Sequence, residues 1–361
     1  MNSKRILFSN KSKFFILAPA NASTGGPECL HELAFHLKKI FNLKYVYMVY
    51  LPTHQKKPIH KNYLHFNLKF KNNIEDEKEN ILIIPEHYSY LKYSLQFKKI
   101  KKIIWWLSVD NYFGFRFRAE NSKIIRSIIK LPFNLISLMN YLINYRFGIY
   151  TFHDYLKTIY KFKRIENEIE IKQATAHLMQ SYYAYNYFKE KFQNKHLLYD
   201  YQNDEILKIS NKSDKHKKNI ICYSHKSNKF IGLLKKKINA KFIILKGYSK
   251  KQIINIFKKT KIYIDFGYHP GKDKMPREAV ILGNCVITNL KGSAKNNYDI
   301  PIGGKYKFKE EFKNINKIDK IINRIFNNYK KEFLHFRHYK KKVLKEKKIF
   351  ISQIRKAFLK K

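Results

Sequence analysis

The sequence predicts an α/β protein made of two doubly wound domains, each with a parallel sheet. Short apolar runs alternate with segments whose apolar residues recur at spacings of three and four, which is typical of strands and covering helices. The chain has 361 residues, enough for two domains of ~150 residues each. Hydrophobic residues form 44% of the chain and aromatic residues 16%, which excludes a disordered or collagen-like protein.

The first half of the chain contains four predicted strands. They cover residues 14–18, 44–51, 81–84 and 103–107. A turn-rich loop follows the first strand and leads into a predicted helix over residues 28–41, which has one apolar face. The apolar run after Lys13 is about five residues long, short of the ~7–15 residues of a secretory signal. We therefore assign this run to the first strand.

A second α/β unit follows a polar, charged segment. Its predicted strands cover residues 219–223, 240–245, 262–266 and 285–288, and its predicted helices cover 230–238, 250–258 and 276–282. The predicted organisation is an N-terminal domain over residues 1–205, a linker over 206–218, a C-terminal domain over 219–328, and a basic amphipathic C-terminal helix over 329–361.

Lys and Arg number 74 against 27 Asp and Glu, which gives a formal net charge of +47. Such a charge is typical of proteins that bind nucleic acid or anionic membranes. The lysines are spread along the chain, and a compositional bias towards Lys, Asn and Ile explains them equally well. The apolar segment 131–145 is shorter than the ~20 residues of a membrane-spanning helix. Two interpretations remain for it: a helix at the surface of an anionic leaflet, or a helix buried in the core.

The cysteines are three in number and far apart in the sequence: Cys29, Cys222 and Cys285. The sequence contains no CxxC pair. This pattern predicts neither a metal cluster nor a disulfide framework, and it favours a reducing compartment.

The most informative segment is the loop that follows a strand ending at Asp265. In an open parallel sheet, ligands bind beyond the carboxyl ends of the strands, and a helix N-terminus there attracts phosphate. Pro276 is expected in the first turn of the next helix, and three basic residues lie at the same end: Lys272, Lys274 and Arg277. Glu278 suits hydrogen bonds from sugar hydroxyls, or else it complements the helix dipole. The segment therefore predicts a phosphate-binding loop.

This segment resembles the nucleotide-sugar site of GT-B glycosyltransferases. Glu278-Ala279 and Gly283 match the second half of their motif, whereas Pro270 stands where many retaining members have a first glutamate. The similarity is closer to a set of bacterial surface-polysaccharide glycosyltransferases and extends from about position 15 to about position 310. The further matching segments are Trp105–Asn111, Gln180–Ala184, Gly292–Ala294, Asp299–Ile302 and Tyr306–Phe308.

The resemblance implies a GT-B fold, with two Rossmann-like domains facing across a cleft and a long C-terminal helix. It implies a nucleotide-sugar donor, no cofactor and no bound metal, because basic side chains neutralise the leaving diphosphate. The donor-binding residues that we predict are Lys226, His269, Gly271, Lys272, Lys274, Arg277, Glu278 and Ser293. For Lys226 a solvated lysine is an equally good interpretation.

In the N-terminal domain, the resemblance implies that Gly25 and Gly26 form an acceptor-side loop, where glycine lets the backbone approach a ligand. A simple tight turn also explains the two glycines. An inverting transferase needs a base to deprotonate the acceptor hydroxyl. Asp110 is the first candidate and His87 the second, and both follow predicted strands. A helix cap or turn residue is the alternative interpretation of Asp110.

We therefore expect a cytoplasmic glycosyltransferase that acts in lipopolysaccharide, capsule or O-antigen synthesis. Its expected partners are a glycan or lipid-linked acceptor and the inner face of an anionic membrane. Two alternatives remain: a basic nucleic-acid-binding protein, and a relative that binds nucleotide sugars without catalysis. The sequence contains no helix-turn-helix, RRM, KH or zinc-finger signature, so no specific nucleic acid is expected as a partner.

Overall fold

The computed structural model describes residues 3–121, 165–209, 217–227 and 230–361. These residues form two compact units, which are described separately. The first unit comprises residues 3–121, 165–200 and 348–361, and the second comprises the described residues of 201–347. Segment 131–145 and residues 210–216 of the predicted linker lie outside the described residues.

The first unit is built on a sheet of seven parallel strands. The strands of this unit before residue 200 are β1 (Ile6–Phe8), β2 (Phe14–Pro19), β3 (Val46–Leu51), β4 (Lys69–Phe70), β5 (Ile81–Pro85), β6 (Lys101–Trp106), β7 (Ala174–Met179) and β8 (Lys195–Leu197). The large sheet has the order β4-β3-β2-β5-β6-β7-β8. The helices are α1 (Gly25–Ile40), α2 (Tyr88–Tyr93), α3 (Val109–Asn121), α4 (Ile169–Lys172) and α5 (Tyr182–Tyr187).

The central strands of this sheet are buried on both faces. Trp105 and Trp106 are neighbours on β6 and point to opposite faces, yet both are 0% exposed. Parallel sheets bury both faces under helices, which is why their strands are continuous apolar runs. The predicted strands over 14–18, 81–84 and 103–107 are such runs, and each is confirmed within a few residues.

The second unit repeats this architecture with five parallel strands. Its elements up to residue 327 are α6 (Asp204–Ile209), β9 (Lys218–Ser224), α7 (Phe230–Lys237), β10 (Lys241–Leu245), α8 (Lys250–Lys259), β11 (Thr260–Asp265), α9 (Lys274–Ile281), β12 (Cys285–Asn289), β13 (Lys307–Phe308) and α10 (Ile315–Asn327). The strand order is β10-β9-β11-β12-β13. Strand β11 therefore lies at the centre of the sheet, and the loop that follows it leaves from the middle of the carboxyl edge.

The C-terminal segment is helical, as predicted, but it is divided. It contains α11 (Tyr329–Phe333), α12 (Arg337–Leu344), α13 (Glu346–Ala357) and a final strand, β14 (Phe358–Lys360). Its apolar residues serve two cores: Phe336 and Val343 belong to the core of the second unit, whereas Phe350 stacks on Trp105 in the first. One amphipathic helix was expected, because the sequence does not reveal that the apolar residues of this segment pack first in one unit and then in the other.

Strand β14 pairs in parallel with β1, so that Ile6 lies opposite Phe358. The backbone N–H of Lys361 also donates to the Phe8 carbonyl, at 2.8 Å. The aromatic ring of Phe8 packs edge-on against Phe14 of β2, with 5.1 Å between ring centroids. The first unit is therefore completed by residues that follow the whole second unit in the sequence.

Candidate functional site

Three loops meet at the carboxyl edge of the second unit's sheet. Ser227 Oγ, after β9, accepts the backbone N–H of Phe266, after β11, at 3.1 Å. Asn289, at the end of β12, donates its side-chain amide to the Gly267 carbonyl at 2.7 Å. A Cβ on Gly267 would lie 3.0 Å from the Cβ of Lys226, so this close approach requires glycine. Lys226 itself is exposed.

Asp265 fixes the turn that leaves β11. Its Oδ1 accepts the backbone N–H of Gly267 at 3.0 Å, and its Oδ2 accepts the Tyr263 hydroxyl at 2.6 Å. The carboxylate is nearly buried. Burial, together with the Asp265 charge, raises the pKa of Tyr263 well above its ordinary value. Asp265 is thus a structural anchor for the β11–α9 loop, residues 266–273.

His269 belongs to this loop and is fully buried. Its Nε2 lies 3.2 Å from the Asp265 carbonyl oxygen, and its Nδ1 lies 3.1 Å from Asp273 Oδ2. Both partners are acceptors, and the ring can donate to both of them only as an imidazolium. Burial alone lowers the pKa of His269, but the Asp265 and Asp273 carboxylates outweigh it and raise that pKa.

The loop after β12 closes onto the β11–α9 loop through its backbone. Ser293 donates its N–H to the His269 carbonyl at 2.8 Å and its hydroxyl to the Gly271 carbonyl at 2.6 Å. The preceding residue, Gly292, has a φ of +49°, and a Cβ there would lie 1.8 Å from the His269 carbonyl oxygen. These contacts bring three predicted donor-binding residues together: His269, Gly271 and Ser293.

Two further predicted donor-binding residues, Lys272 and Arg277, form ion pairs with the carboxylate of Glu346. Lys272 Nζ lies 2.6 Å from one oxygen of Glu346, and Arg277 Nη1 lies 2.9 Å from the other. Arg277 also donates to the carbonyl oxygens of Lys272, at 2.7 Å, and Asp273, at 3.1 Å. Sequence reasoning missed Glu346. A usable signal existed, because Glu332 and Glu346 are the two acidic residues of the basic segment 329–361.

The first five residues of α9 include the remaining predicted residues. Lys274 is the first residue of the helix and is half-buried, whereas Glu278 is the fifth, lies beyond the first turn, and is 8% exposed. Pro276 is the third residue, where the helix loses no hydrogen bond for want of an N–H. Asp273 precedes the helix and gives its carboxylate to His269 rather than to the helix N–H groups. The predicted donor-binding set therefore lies in one unit, at one sheet edge.

In the first unit, Asp110 lies in the first turn of α3 and is 1% exposed. Its Oδ1 accepts the Tyr183 hydroxyl at 3.1 Å. Ser108 makes the helix-capping contact instead, since its Oγ accepts the Asn111 N–H at 3.2 Å. The two motif segments after β6 and β7, 105–111 and 180–184, are thus joined through Asp110.

His87 and the two glycines lie near the same strand ends of the first unit. The half-buried His87 ring stacks on Phe115 of α3, with 4.0 Å between centroids. A Cβ on Gly26 would lie 3.6 Å from a Leu107 methyl, and one on Gly25 would meet open space. Side chains are therefore tolerated sterically at both positions, so a requirement for glycine here would have to come from a ligand.

Glu86 is a buried carboxyl that was not among the predicted site residues. It follows β5, is 5% exposed, and accepts the Leu107 N–H through Oε2 at 3.0 Å. Burial raises the pKa of Glu86 to about 8, although the backbone N–H groups of Leu107 and Ser108 partly offset this. The carboxyl is consequently protonated at neutral pH.

The Glu86→Gln variant is expected to flatten the pH dependence of stability. A carboxyl whose pKa is raised from 4.5 to about 8 on folding contributes stability that is fully present below 4.5 and is lost as the pH rises through about 8. Urea unfolding of wild type should therefore show declining stability from about pH 5 to about pH 8.5, and Glu86→Gln should decline less. The control is Glu79→Gln, at an exposed position of the same unit. Equal slopes for wild type and Glu86→Gln would contradict this prediction.

Among the described residues, no three His, Cys, Asp or Glu side chains gather in a way that could hold a metal ion. Within the same ranges, no helix combines the length and apolar character needed to cross a bilayer. The three cysteines are buried free thiols.

Comparisons with known proteins place the fold. No protein-family model matches the sequence, and no curated protein matches it either. Sucrose-phosphate synthase from Thermosynechococcus elongatus superposes with a TM-score of 0.52 at 9% identity, covering 95% of each chain. Anabaena HepE, in complex with UDP and glucose, superposes with a TM-score of 0.51 at 9% identity, covering 94% of this chain and 98% of HepE. The prediction of a GT-B fold with two Rossmann-like units is confirmed.

Proposed function

We propose that this protein is a glycosyltransferase that uses a nucleotide-sugar donor, and that its second unit binds the donor. The observation that carries the proposal is the joined set of loops after β9, β11 and β12 at the carboxyl edge of a parallel sheet, beside the N-terminus of α9. Ligands of open α/β sheets bind at such an edge, and helix N-termini favour phosphate. The UDP and glucose bound by HepE support a UDP-sugar as the donor class.

The proposed site divides its basic residues into two roles. Lys226 is exposed at the carboxyl end of β9 and, with Lys274 and the first N–H groups of α9, meets the donor diphosphate. As the glycosidic bond breaks, negative charge grows on the diphosphate, and preorganised positive groups lower the barrier. Glu278 accepts hydrogen bonds from donor hydroxyls. Lys272 and Arg277 support the loop rather than bind the donor, because their charged groups form ion pairs with Glu346.

The acceptor site of the proposed enzyme lies in the first unit. Asp110 is the first candidate for the base that deprotonates the acceptor hydroxyl, and His87 is the second. The resemblance of residues 265–308 to bacterial surface-polysaccharide transferases supports a glycan or lipid-linked acceptor in cell-surface glycan synthesis. The same resemblance, together with the charge of +47, supports a place in the cytoplasm at the inner face of an anionic membrane.

The Lys226→Ala variant tests the donor site. A charge-assisted hydrogen bond contributes about 1.5–3 kcal/mol, so the variant should bind UDP-glucose, or whichever UDP-, GDP- or CMP-sugar binds wild type, about 10- to 100-fold more weakly. Binding is measured by calorimetry after a thermal-shift screen, since a ligand that binds the folded state raises the unfolding temperature.

The matched control is Lys218→Ala, because Lys218 is an exposed lysine at the other end of the same strand. It should leave donor affinity unchanged. Release of free UDP from the bound donor, with transfer to an acceptor, separates a working enzyme from a non-catalytic relative. If no nucleotide sugar stabilises wild type, or if both lysine variants bind equally well, the donor site is not where we propose it.

A further inference from the structure

Lys272, Arg277 and Glu346 form a buried ionic group, here called the Glu346 cluster. The side chains of Lys272 and Glu346 are each 2% exposed, and that of Arg277 is 0% exposed. One carboxylate therefore forms ion pairs with two cations, one through each oxygen, at 2.6 and 2.9 Å. Glu346 is 69 positions from Arg277 in the sequence and belongs to another element, α13.

The cluster acts on the backbone as well as on charges. Arg277 is held by Glu346 on one side and donates to the carbonyl oxygens of Lys272 and Asp273 on the other. These two carbonyls belong to the last residues of the β11–α9 loop, directly before α9 begins at Lys274. Arg277 has a planar fork of donors, so fixing one edge of the guanidinium fixes the direction of the others.

Glu346 is well placed to hold this fork. It is the first residue of α13, where the partial positive charge of the helix N-terminus favours a carboxylate. A carboxylate that lost its charge here would remove the negative charge that pairs with two buried cations, which is costly in a low-dielectric interior. The orientation of the loop end is thus coupled to a residue that lies outside the loop.

We infer that Glu346 is a positioning residue for the donor site: through Lys272 and Arg277 it holds the end of the β11–α9 loop, and hence the N-terminus of α9, in its binding conformation. The inference rests on the proposed function for the identity of the ligand, but not for the restraint of the loop. A purely stabilising carboxylate would lower the stability of the whole second unit when removed. A positioning carboxylate should in addition loosen residues 266–275 selectively.

Hydrogen exchange followed by mass spectrometry tests this restraint without any ligand. In Glu346→Gln, the backbone amides of residues 266–275 are expected to exchange about tenfold faster than in wild type, under conditions where both remain folded. The matched control is Glu332→Gln, a buried carboxylate of the same unit, 5% exposed, whose Oε1 lies 2.9 Å from Arg324 Nε. It should leave exchange in residues 266–275 unchanged.

Glu346→Asp guards against a glutamine variant that does not fold. It keeps the charge but is one methylene shorter, so it holds the two cations less well and should give intermediate exchange rates in residues 266–275. Intermediate exchange rates in Glu346→Asp, which keeps the negative charge, would support the proposal that Glu346 positions the loop. Exchange in residues 266–275 that stays at the wild-type rate in Glu346→Asp and in a folded Glu346→Gln would overturn the inference.

A second measurement couples the restraint to the ligand. Glu346→Gln should bind UDP-glucose about tenfold more weakly than Glu332→Gln at a temperature where both are folded. Equal affinities of the two variants would overturn the positioning role in binding. If wild type binds no nucleotide sugar at all, the proposed function fails, while the exchange measurement still decides whether Glu346 restrains the loop.

Discussion

Replacing Arg277 with methionine is expected to lower the free energy of unfolding by about 3–5 kcal/mol. Arg277 is 0% exposed and donates to Glu346 and to the carbonyls of Lys272 and Asp273. Methionine fills much of the same volume but donates nothing, so the side-chain hydrogen bonds to the two carbonyls and the ion pair with Glu346 are lost. Urea unfolding measures the loss, and the nucleotide-sugar thermal shift should disappear with it.

The control for this variant is Arg337→Met, since Arg337 is an exposed arginine of the same unit, on α12. Substitutions at such surface sites change stability by less than about 0.5 kcal/mol. If Arg277→Met were as stable as Arg337→Met, the Glu346 cluster would contribute nothing to the stability of the fold. That result would also contradict the proposal that the cluster restrains the β11–α9 loop.

The second large effect is expected from Gly292→Ala. The residue has a φ of +49°, and the new Cβ would lie 1.8 Å from the His269 carbonyl oxygen and 2.6 Å from its carbon. These are backbone atoms, so they cannot move aside as a flexible side chain would. The loop after β12 must shift, which breaks the hydrogen bond from the Ser293 N–H to His269. A loss of about 3 kcal/mol or more is expected.

Gly304→Ala is the matched control, because nothing lies within 4 Å of a Cβ at Gly304 and its φ is not in the left-handed region. That variant should be neutral or slightly more stable in urea unfolding. The donor affinity of Gly292→Ala, measured on the folded fraction, should also fall. A Gly292→Ala protein with wild-type stability would show that the two loops are not packed as described.

The strands that could be predicted are those with continuous apolar runs. β2, β5 and β12 are buried along nearly their whole length. Their sequences are apolar apart from Thr288 and Asn289, which end β12. The α9 helix was placed two residues too late because Pro276 was taken as its start, whereas the helix begins at Lys274. Prolines are accepted anywhere in the first turn, so this residue type does not fix the boundary.

Strand β7 was missed because a polar residue interrupts it. His177 lies in its middle, and burial lowers the pKa of His177 to about 3. The imidazole accepts the Trp106 indole N–H at 3.2 Å and stacks on Phe192 with 3.7 Å between ring centroids. Each partner is distant in the sequence, so local patterning could not show that this histidine belongs to the core.

Only the proximity of some candidate site residues could be anticipated from the sequence. The resemblance assigned His269, Gly271 and Ser293 to one donor site, and hydrogen bonds join their loops in the structure. That these residues bind a donor stays a prediction. Exposure was not predictable: Lys272 and Arg277 were expected at the ligand surface but are buried against Glu346. Their burial depends on Glu346 of α13, which lies 69 positions after Arg277 in the chain. A single sequence does not show that these residues are in contact.

The pairing of β14 with β1 has a consequence for biosynthesis. A nascent chain that has emerged through the second unit still lacks residues 348–361, so the edge of β1 has no strand to accept its hydrogen bonds. This pairing of the first unit therefore forms only after the last residues of the chain are made, whereas domains usually mature on the ribosome in N-to-C order. Until then the exposed edge is a site for mispairing with other nascent chains.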